Sequence, residues 1–300
     1  AVLSQGGLGE LSLVDLEKVL AGTTAFVRAD IGETTEGLVG GASRADLETM
    51  FQLLYLNFTA PRADPVAFEV LHEQWSVALA NRGVVPETVF DEALDSALSQ
   101  DHLRAQPLTP DRLAEMNLQT SLAFYRDRFA DASDFTFVFV GSFDLATMRP
   151  LVEQYVASLP ALRRTEAARD IGMHAPLGVI EREVRSGIAP RSQVSIVFSG
   201  AFENDESRRV IARVMGESLA GNLQGTLRED LGGTYGVRVS PRFTKYPAGE
   251  YRLTINFSCD PARTENLVRA AFRVIENFKR NGPSRGQVLD AGVLGLHCLE

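Results

Sequence analysis

Apolar residues recur at helical spacing in Glu10–Leu20, where Leu11, Leu13, Leu16, Val19 and Leu20 form one stripe. Ser12 and Asp15 near its start are capping candidates, and Ala21-Gly22 ends it. Thr23–Ala29 and Glu36–Ala42 then read as short strands divided by a polar turn. Ser43 is placed to cap a long helix with the apolar set Leu47, Met50, Phe51, Leu54 and Phe58, broken by Pro61 and Pro65. Further helices are predicted around Val66–Ala80, Pro86–Ser99 and Pro110–Phe129. Phe135–Val140 is a near-continuous apolar run between polar turns, the mark of a strand covered on both faces. Leu145–Leu159 returns as a helix stopped by Pro160.

From Ala161 to Leu177 the pattern decays into Arg163-Arg164, a charged stretch, Gly172, His174 and Pro176, the best linker in the chain. Gly178–Val184 opens the second half, and Val194, Ile196 and Phe198 mark the next strand. A helix from about Asp205 to Asp230 meets the stop Gly232-Gly233, after which Tyr235 opens a strand. Tyr251, Leu253, Ile255 and Phe257 alternate with polar residues in a half-exposed strand, and Pro261–Arg280 is a helix. The expected organisation is a first domain over 1–160, a linker over 161–177 and a second domain over 178–300, truncated at its C-terminus.

A faint repeat links the halves. Leu16-Glu17-Lys18-Val19-Leu20-Ala21-Gly22-Thr23 aligns with Leu227-Arg228-Glu229-Asp230-Leu231-Gly232-Gly233-Thr234. Helix, glycine stop, two strands and a long helix follow in the same order, so one fold is expected twice. At the corner after the first helix, the first copy carries Glu17 and Thr24 where the second carries Arg228 and Tyr235.

The 300 residues favour two domains, because single cores stop growing near ~250 residues. An apolar share of 45% and a charged share of 23% are those of an ordinary globular chain. A net charge of −9 argues against nucleic acid as partner. No apolar run approaches the roughly 18 residues that would span a bilayer. Cys259 and Cys298 are too few for a disulfide framework or a four-thiolate zinc site, and leave the compartment open. The chain starts at Ala1 without a signal-type apolar core and stops at His297-Cys298-Leu299-Glu300 within a helical pattern. It is therefore expected to be a piece of a longer protein.

Candidate chemistry is sparse. His72-Glu73 fails the His-Glu-x-x-His pattern because Ser76 holds the last place, and His-x-x-Glu-His is absent. His102, His174 and His297 stand alone, so all four histidines read as structural or surface residues. Gly6-Gly7, Gly40-Gly41 and Gly232-Gly233 lack the strand and helix of a phosphate cradle. Glu229-Asp230 and Asp91-Glu92 are neighbours on helices and point apart. Ser43, Ser121 and Ser199 have no base at recognisable spacing. Arg228 and Tyr235 remain, flanking the glycine stop. Their bland reading is an arginine favoured by the dipole of a last helical turn and a tyrosine that suits a strand. Their functional reading is a guanidinium and a phenol on one rigid corner, gripping a carbonyl oxygen as it becomes negative.

The setting Leu-Arg-Glu-x-x-Gly-x-x-Tyr over 227–235 resembles the arginine–tyrosine signature of the pitrilysin/insulinase family of zinc peptidases. The run from Phe137 to Asp144, then Leu151–Tyr155 and Leu159-Pro160, is similar to that family's strand–glycine–helix–Leu-Pro ending. The likeness covers essentially the whole chain and is that of the C-terminal half of bacterial zinc proteases. It implies an α+β fold of two homologous domains, each a mixed, mostly antiparallel sheet packed on helices. It implies zinc in the full-length protein, bound by an N-terminal half, and no metal or other cofactor in this chain. Carried over, Arg228 and Tyr235 bind substrate and stabilise the oxyanion, and the partners are a peptide or unfolded protein and the zinc-bearing half. The fragment alone is then expected to be inactive. A non-catalytic scaffold or peptide-binding subunit of the same family is the alternative. A complete subunit that pairs with a separate zinc-bearing one is the third. Bacterial relatives suggest a periplasmic location.

Overall fold

A computed structural model of the chain describes residues 3–287 apart from 33, 168, 247 and 285. His297 and Cys298 lie outside the described residues. The described residues divide into two compact units, one drawn from the chain up to 82 and again from 107, the other from 83–106 and from 169 onward.

In the first unit, α1 (Leu13–Val19) starts where Ser12 accepts a hydrogen bond from the Asp15 amide. Gly22, at φ +87°, turns the chain into β1 (Phe26–Ile31). β1 pairs antiparallel with β2 (Glu36–Gly41). A 3₁₀ turn over Arg44–Asp46 leads into α2 (Leu47–Thr59). The cap of α2 is thus Asp46 rather than Ser43, whose hydroxyl donates to the Asp46 carboxylate at 2.7 Å.

α2 buries residues on two sides. Phe51, fully buried, joins Met50, Leu53, Ala25 and Met148, with Phe139 and Tyr155 packed against them. Leu54 and Phe58 join Tyr125, Phe129 and Leu159, with Phe135 and Phe137 alongside. The first unit also contains α3 (Pro65–Ala80), α5 (Pro110–Ala114), α6 (Leu118–Arg128) and α7 (Leu145–Leu151), while α4 (Pro86–Ser99) belongs to the second unit.

Three expectations are corrected here. The helix predicted over Pro110–Phe129 is two helices. Asn117 accepts from the Thr120 amide and starts α6 afresh, a cap signal that the continuous apolar spacing masks. The run Phe135–Val140 is extended but joins no described ladder, and it is covered on one face only. Phe135, Phe137 and Phe139 face the core, while Val138 and Val140 are 77% and 92% exposed. Both sets being apolar, the sequence hides an ordinary alternation. Lastly, Leu145–Leu159 is not one α-helix, because a π-helical turn over Val152–Val156 follows α7.

The chain after Pro160 is fastened by buried Asp131. Its carboxylate accepts from the amides of Leu162 (2.8 Å) and Arg164 (2.5 Å) and from the amide and hydroxyl of Ser133. Arg128 pairs with both Glu36 and Glu166.

The second unit is built on a three-stranded antiparallel sheet of order β3-β5-β4, with β3 Ser192–Ala201, β4 Thr234–Thr244 and β5 Glu250–Cys259. Alternation gives this sheet one apolar and one polar face. On the apolar face, Ile255 and Phe257 meet Leu219 and Leu223 of α8 (Glu206–Gln224). Leu267, Ala270, Ala271, Ile275 and Phe278 of α9 (Thr264–Asn281) complete that core. Among the described residues, no helix is long and apolar enough to cross a membrane.

The repeat is visible in the structure. Helix, left-handed glycine, two antiparallel strands, a 3₁₀ turn and a long helix occur in the same order in each unit: α1 to α2, and α8 to α9.

Candidate functional site

The corner after α8 is made rigid from behind. Beyond Gln224 the helix widens into a π-turn over Gly225–Asp230, and Leu223 and Leu227 are both fully buried. The amide of Leu231 donates to the Thr226 carbonyl, that of Gly232 to Arg228 and that of Gly233 to Leu227. Gly232, at φ +56°, reverses the chain in the left-handed region that suits glycine. Gly233 is needed for closeness, since a Cβ there would lie 2.5 Å from Leu267 Cδ2. The carbonyls of Leu231 and Gly232 accept from the Arg263 guanidinium at 2.6 and 3.0 Å. That cation sits at the negative end of the helix dipole.

Strand β4 begins with an irregularity that decides where Tyr235 points. Thr234 pairs with Cys259 and Val237 with Phe257, so Tyr235 and Gly236 together oppose the single residue Ser258. This is a β-bulge, a device that re-aims a side chain. Buried Thr234 braces it, its hydroxyl bonded to the carbonyl and amide of Gly236. The Val237 amide donates to Gln224 Oε1 at 3.0 Å. Tyr235 is 93% exposed and Arg228 is also exposed. Among the described residues neither side chain has a hydrogen bond or ion pair. The structure therefore puts both residues on the two arms of one braced corner, their side-chain donors without a partner among the described residues.

The first unit builds the same corner differently. Thr24, at the position of Tyr235, donates its hydroxyl and its amide to the Asp46 carboxylate at 2.8 and 3.0 Å. Ser43 donates its amide to the Thr24 hydroxyl. These donors, the Thr24 amide foremost, hold the Asp46 carboxyl below the usual carboxylate range. Asp46 and Arg263 occupy the same place, at the N-cap of the long helix after the second strand. One reaches back as an acceptor of N–H groups, the other as a donor to carbonyls. The positioning roles of Arg263 and Gln224 carry no local sequence signal, because both act across the fold.

The other candidates have structural partners. His72 Nε2 lies 3.3 Å from the Leu113 carbonyl and His102 Nε2 lies 2.9 Å from that of Ile171. His174 lies between Asp170 and Glu250. Cys259 is buried and, among the described residues, has no disulfide partner. Among the described residues, no group of three or more His, Cys, Asp and Glu is placed to hold a metal ion.

An antiparallel sheet packed on a helical layer makes this a mixed α+β fold. Residues 115–291, more than half of the chain, match the family model described as the Peptidase M16 inactive domain, and the chain belongs to that family. The probable zinc protease PqqL of Haemophilus influenzae is 23% identical over 291 residues, covering 94% of this chain and 30% of that protein. A zinc protease PQQL-like protein of Arabidopsis thaliana is 25% identical over 313 residues, covering 95% and 31%. The crystal structure of the periplasmic protease PqqL from Escherichia coli superposes with a TM-score of 0.85 at 22% identity, covering 99% of this chain and 33% of that one. The chain thus spans about a third of the length of these relatives.

Proposed function

We propose that this chain is the C-terminal, metal-free lobe of a zinc-dependent endopeptidase, closing over a peptide and presenting Arg228 and Tyr235 to it. The observation that carries this reading is the display of Tyr235. A large aromatic is 93% exposed on a bulge, although Thr234, Gln224 and Arg263 brace the backbone around it. The counterpart corner shows that the fold can be built without the pair, since Glu17 and Thr24 stand there.

The phenol of Tyr235 donates to the oxygen that becomes negative when the scissile carbonyl is attacked. Arg228 binds a substrate carbonyl or the same charge. The described residues do not form a zinc site, so the reading assigns zinc to the rest of the protein and no step here runs through it. Placing these donors on a lobe apart from the metal makes turnover depend on closure, which also excludes water. The two domains, 1–160 and 178–300 joined through 161–177, belong to the same reading, as does a periplasmic location in bacteria.

The test uses the full-length protein. Tyr235→Phe should lower kcat by about 10²–10³, the usual cost of one lost oxyanion donor. Arg228→Ala should lower kcat/KM, and bound zinc and Tm should hold in both variants because neither side chain is packed. Unchanged turnover in both variants refutes the catalytic role and leaves the scaffold reading. The 300-residue chain by itself should neither hydrolyse peptides nor retain zinc.

A further inference from the structure

The register of the second sheet places a charge pattern beside the corner that the oxyanion role does not use. Opposite the face packed on α8 and α9, β5 presents Arg252, Thr254, Asn256 and Ser258. On the same face β4 presents Arg238 opposite Asn256, Ser240 opposite Thr254 and Arg242 directly opposite Arg252. Tyr235 emerges on this face as well, because its bulge opposes Ser258. β3 adds Gln193, Ser195, Val197 and Ser199, none of them charged.

Three arginines therefore line one face of a chain whose net charge is −9. Among the described residues none of them has an ion pair or hydrogen bond. Among the described residues the one carboxylate on this face is Glu250, two residues from Arg252 on β5, and it lies 3.6 Å from His174. Arg238 and Arg242 are exposed and Arg252 is half-buried. Like charges directly opposite on neighbouring strands oppose folding. Arg242 and Arg252 are such a pair, and among the described residues neither forms an ion pair with the neighbouring Glu250 or with another acid.

We propose that this face is a subsite for acidic peptide, selecting substrates with Asp or Glu within about seven residues of the cleaved bond. The inference rests on the peptidase reading above and adds a substrate class to it. From Tyr235 to Arg242 the strand runs about 23 Å at ~3.3 Å per residue, the length of seven extended residues. Arg238 lies about 10 Å along this line and the Arg242–Arg252 pair at its end. A peptide whose reacting carbonyl sits at Tyr235 carries its acidic side chains over these guanidinium groups, whose planar forks suit carboxylates.

The experiment uses the full-length protein and two fluorogenic peptides identical except that Glu and Asp in one are Gln and Asn in the other. The acidic peptide should have a kcat/KM about tenfold higher at low salt, the scale of three exposed charge contacts. High salt should erase most of that ratio by screening. The variant Arg238→Gln/Arg242→Gln/Arg252→Gln should bring the ratio close to one, and the corresponding triple lysine variant should restore most of it. A ratio near one in the unaltered protein, or a high ratio that survives the triple glutamine change, overturns the proposal. Fluorescence anisotropy with the labelled peptides reads the arginine face without hydrolysis. Equal affinity for the two peptides also overturns it. Acid-selective binding with no cleavage of either peptide supports the subsite and refutes the peptidase reading instead.

Discussion

Gly233→Ala is the sharpest probe of the corner, because its effect follows from one distance. The new Cβ would lie 2.5 Å from Leu267 Cδ2 and 2.9 Å from Cδ1, and Leu267 is itself almost fully buried in the core of α9. Carbon atoms prefer about 3.5–4.0 Å, so the glycine turn and α9 must separate or Leu267 must leave its rotamer. Overpacking of this kind costs about 1–3 kcal/mol. At roughly 2–4 °C per kcal/mol, Tm should fall by about 2–12 °C. Gly232→Ala is the control. Its neighbour space is open, so only the left-handed φ of +56° opposes it, at about 1–2 kcal/mol. Loss of glycine's extra freedom in the unfolded chain returns about 0.4–1 kcal/mol in each variant. A double-mutant cycle isolates the contact. Leu267→Ala should cost about 2–5 kcal/mol in the native background. It should cost about 1–2 kcal/mol less beside Ala at 233, because it removes the atoms in collision. Calorimetric or denaturant unfolding measures all four proteins. Additive effects within about 0.5 kcal/mol would refute the close packing of this corner on α9.

Three further predictions concern its supports and the first unit. Arg263→Ala leaves two carbonyls at the helix end without their cation, costing about 0.5–1 kcal/mol, and hydrogen exchange should quicken at the amides of 231–236. Asp131 is raised by burial but lowered more by its four hydrogen bonds, that from the Ser133 hydroxyl first, so its folded pKa is below the ordinary 3.8. Its stabilisation is complete above that ordinary value and is lost as pH falls through the folded one. Acid titration of Tm should therefore decline less steeply below about pH 4 in Asp131→Asn than in the parent. Tyr125→Phe removes a buried hydroxyl that donates to the Asn57 carbonyl at 3.1 Å, and should cost about 1 kcal/mol in urea unfolding.

Much of this architecture was legible from periodicity. α4 matches Pro86–Ser99, and β1, β2, β3 and β5 fall where the alternation put them. Breaks were harder to see. Asn117 restarts a helix inside an apolar pattern that runs on regardless, and the π-turns after Leu151 and Gln224 keep enough helical spacing to conceal an added residue. Phe135–Val140 misled because Val138 and Val140 are apolar yet exposed. At the corner, Arg228 and Tyr235 were legible as a spaced pair and in their family likeness. The bulge that displays Tyr235 was not, because it depends on which residue of β5 faces it. The arginine face needed the same information, since Arg252 lies ten positions beyond Arg242 and only strand register makes them neighbours.

The interleaving of the two units also sets a timetable for synthesis. Phe51 is made early, yet it is enclosed by Phe139 and Tyr155, whose rings lie 5.2 and 6.3 Å from its own. A ribosome adding about 5–20 residues per second needs about 5–20 s to cross the interval from Phe51 to Tyr155. Residues 83–106, which belong to the other unit, emerge within that interval. Throughout it the nascent chain offers the aromatic stripe of α2 to solvent, a surface that an attending chaperone would bind.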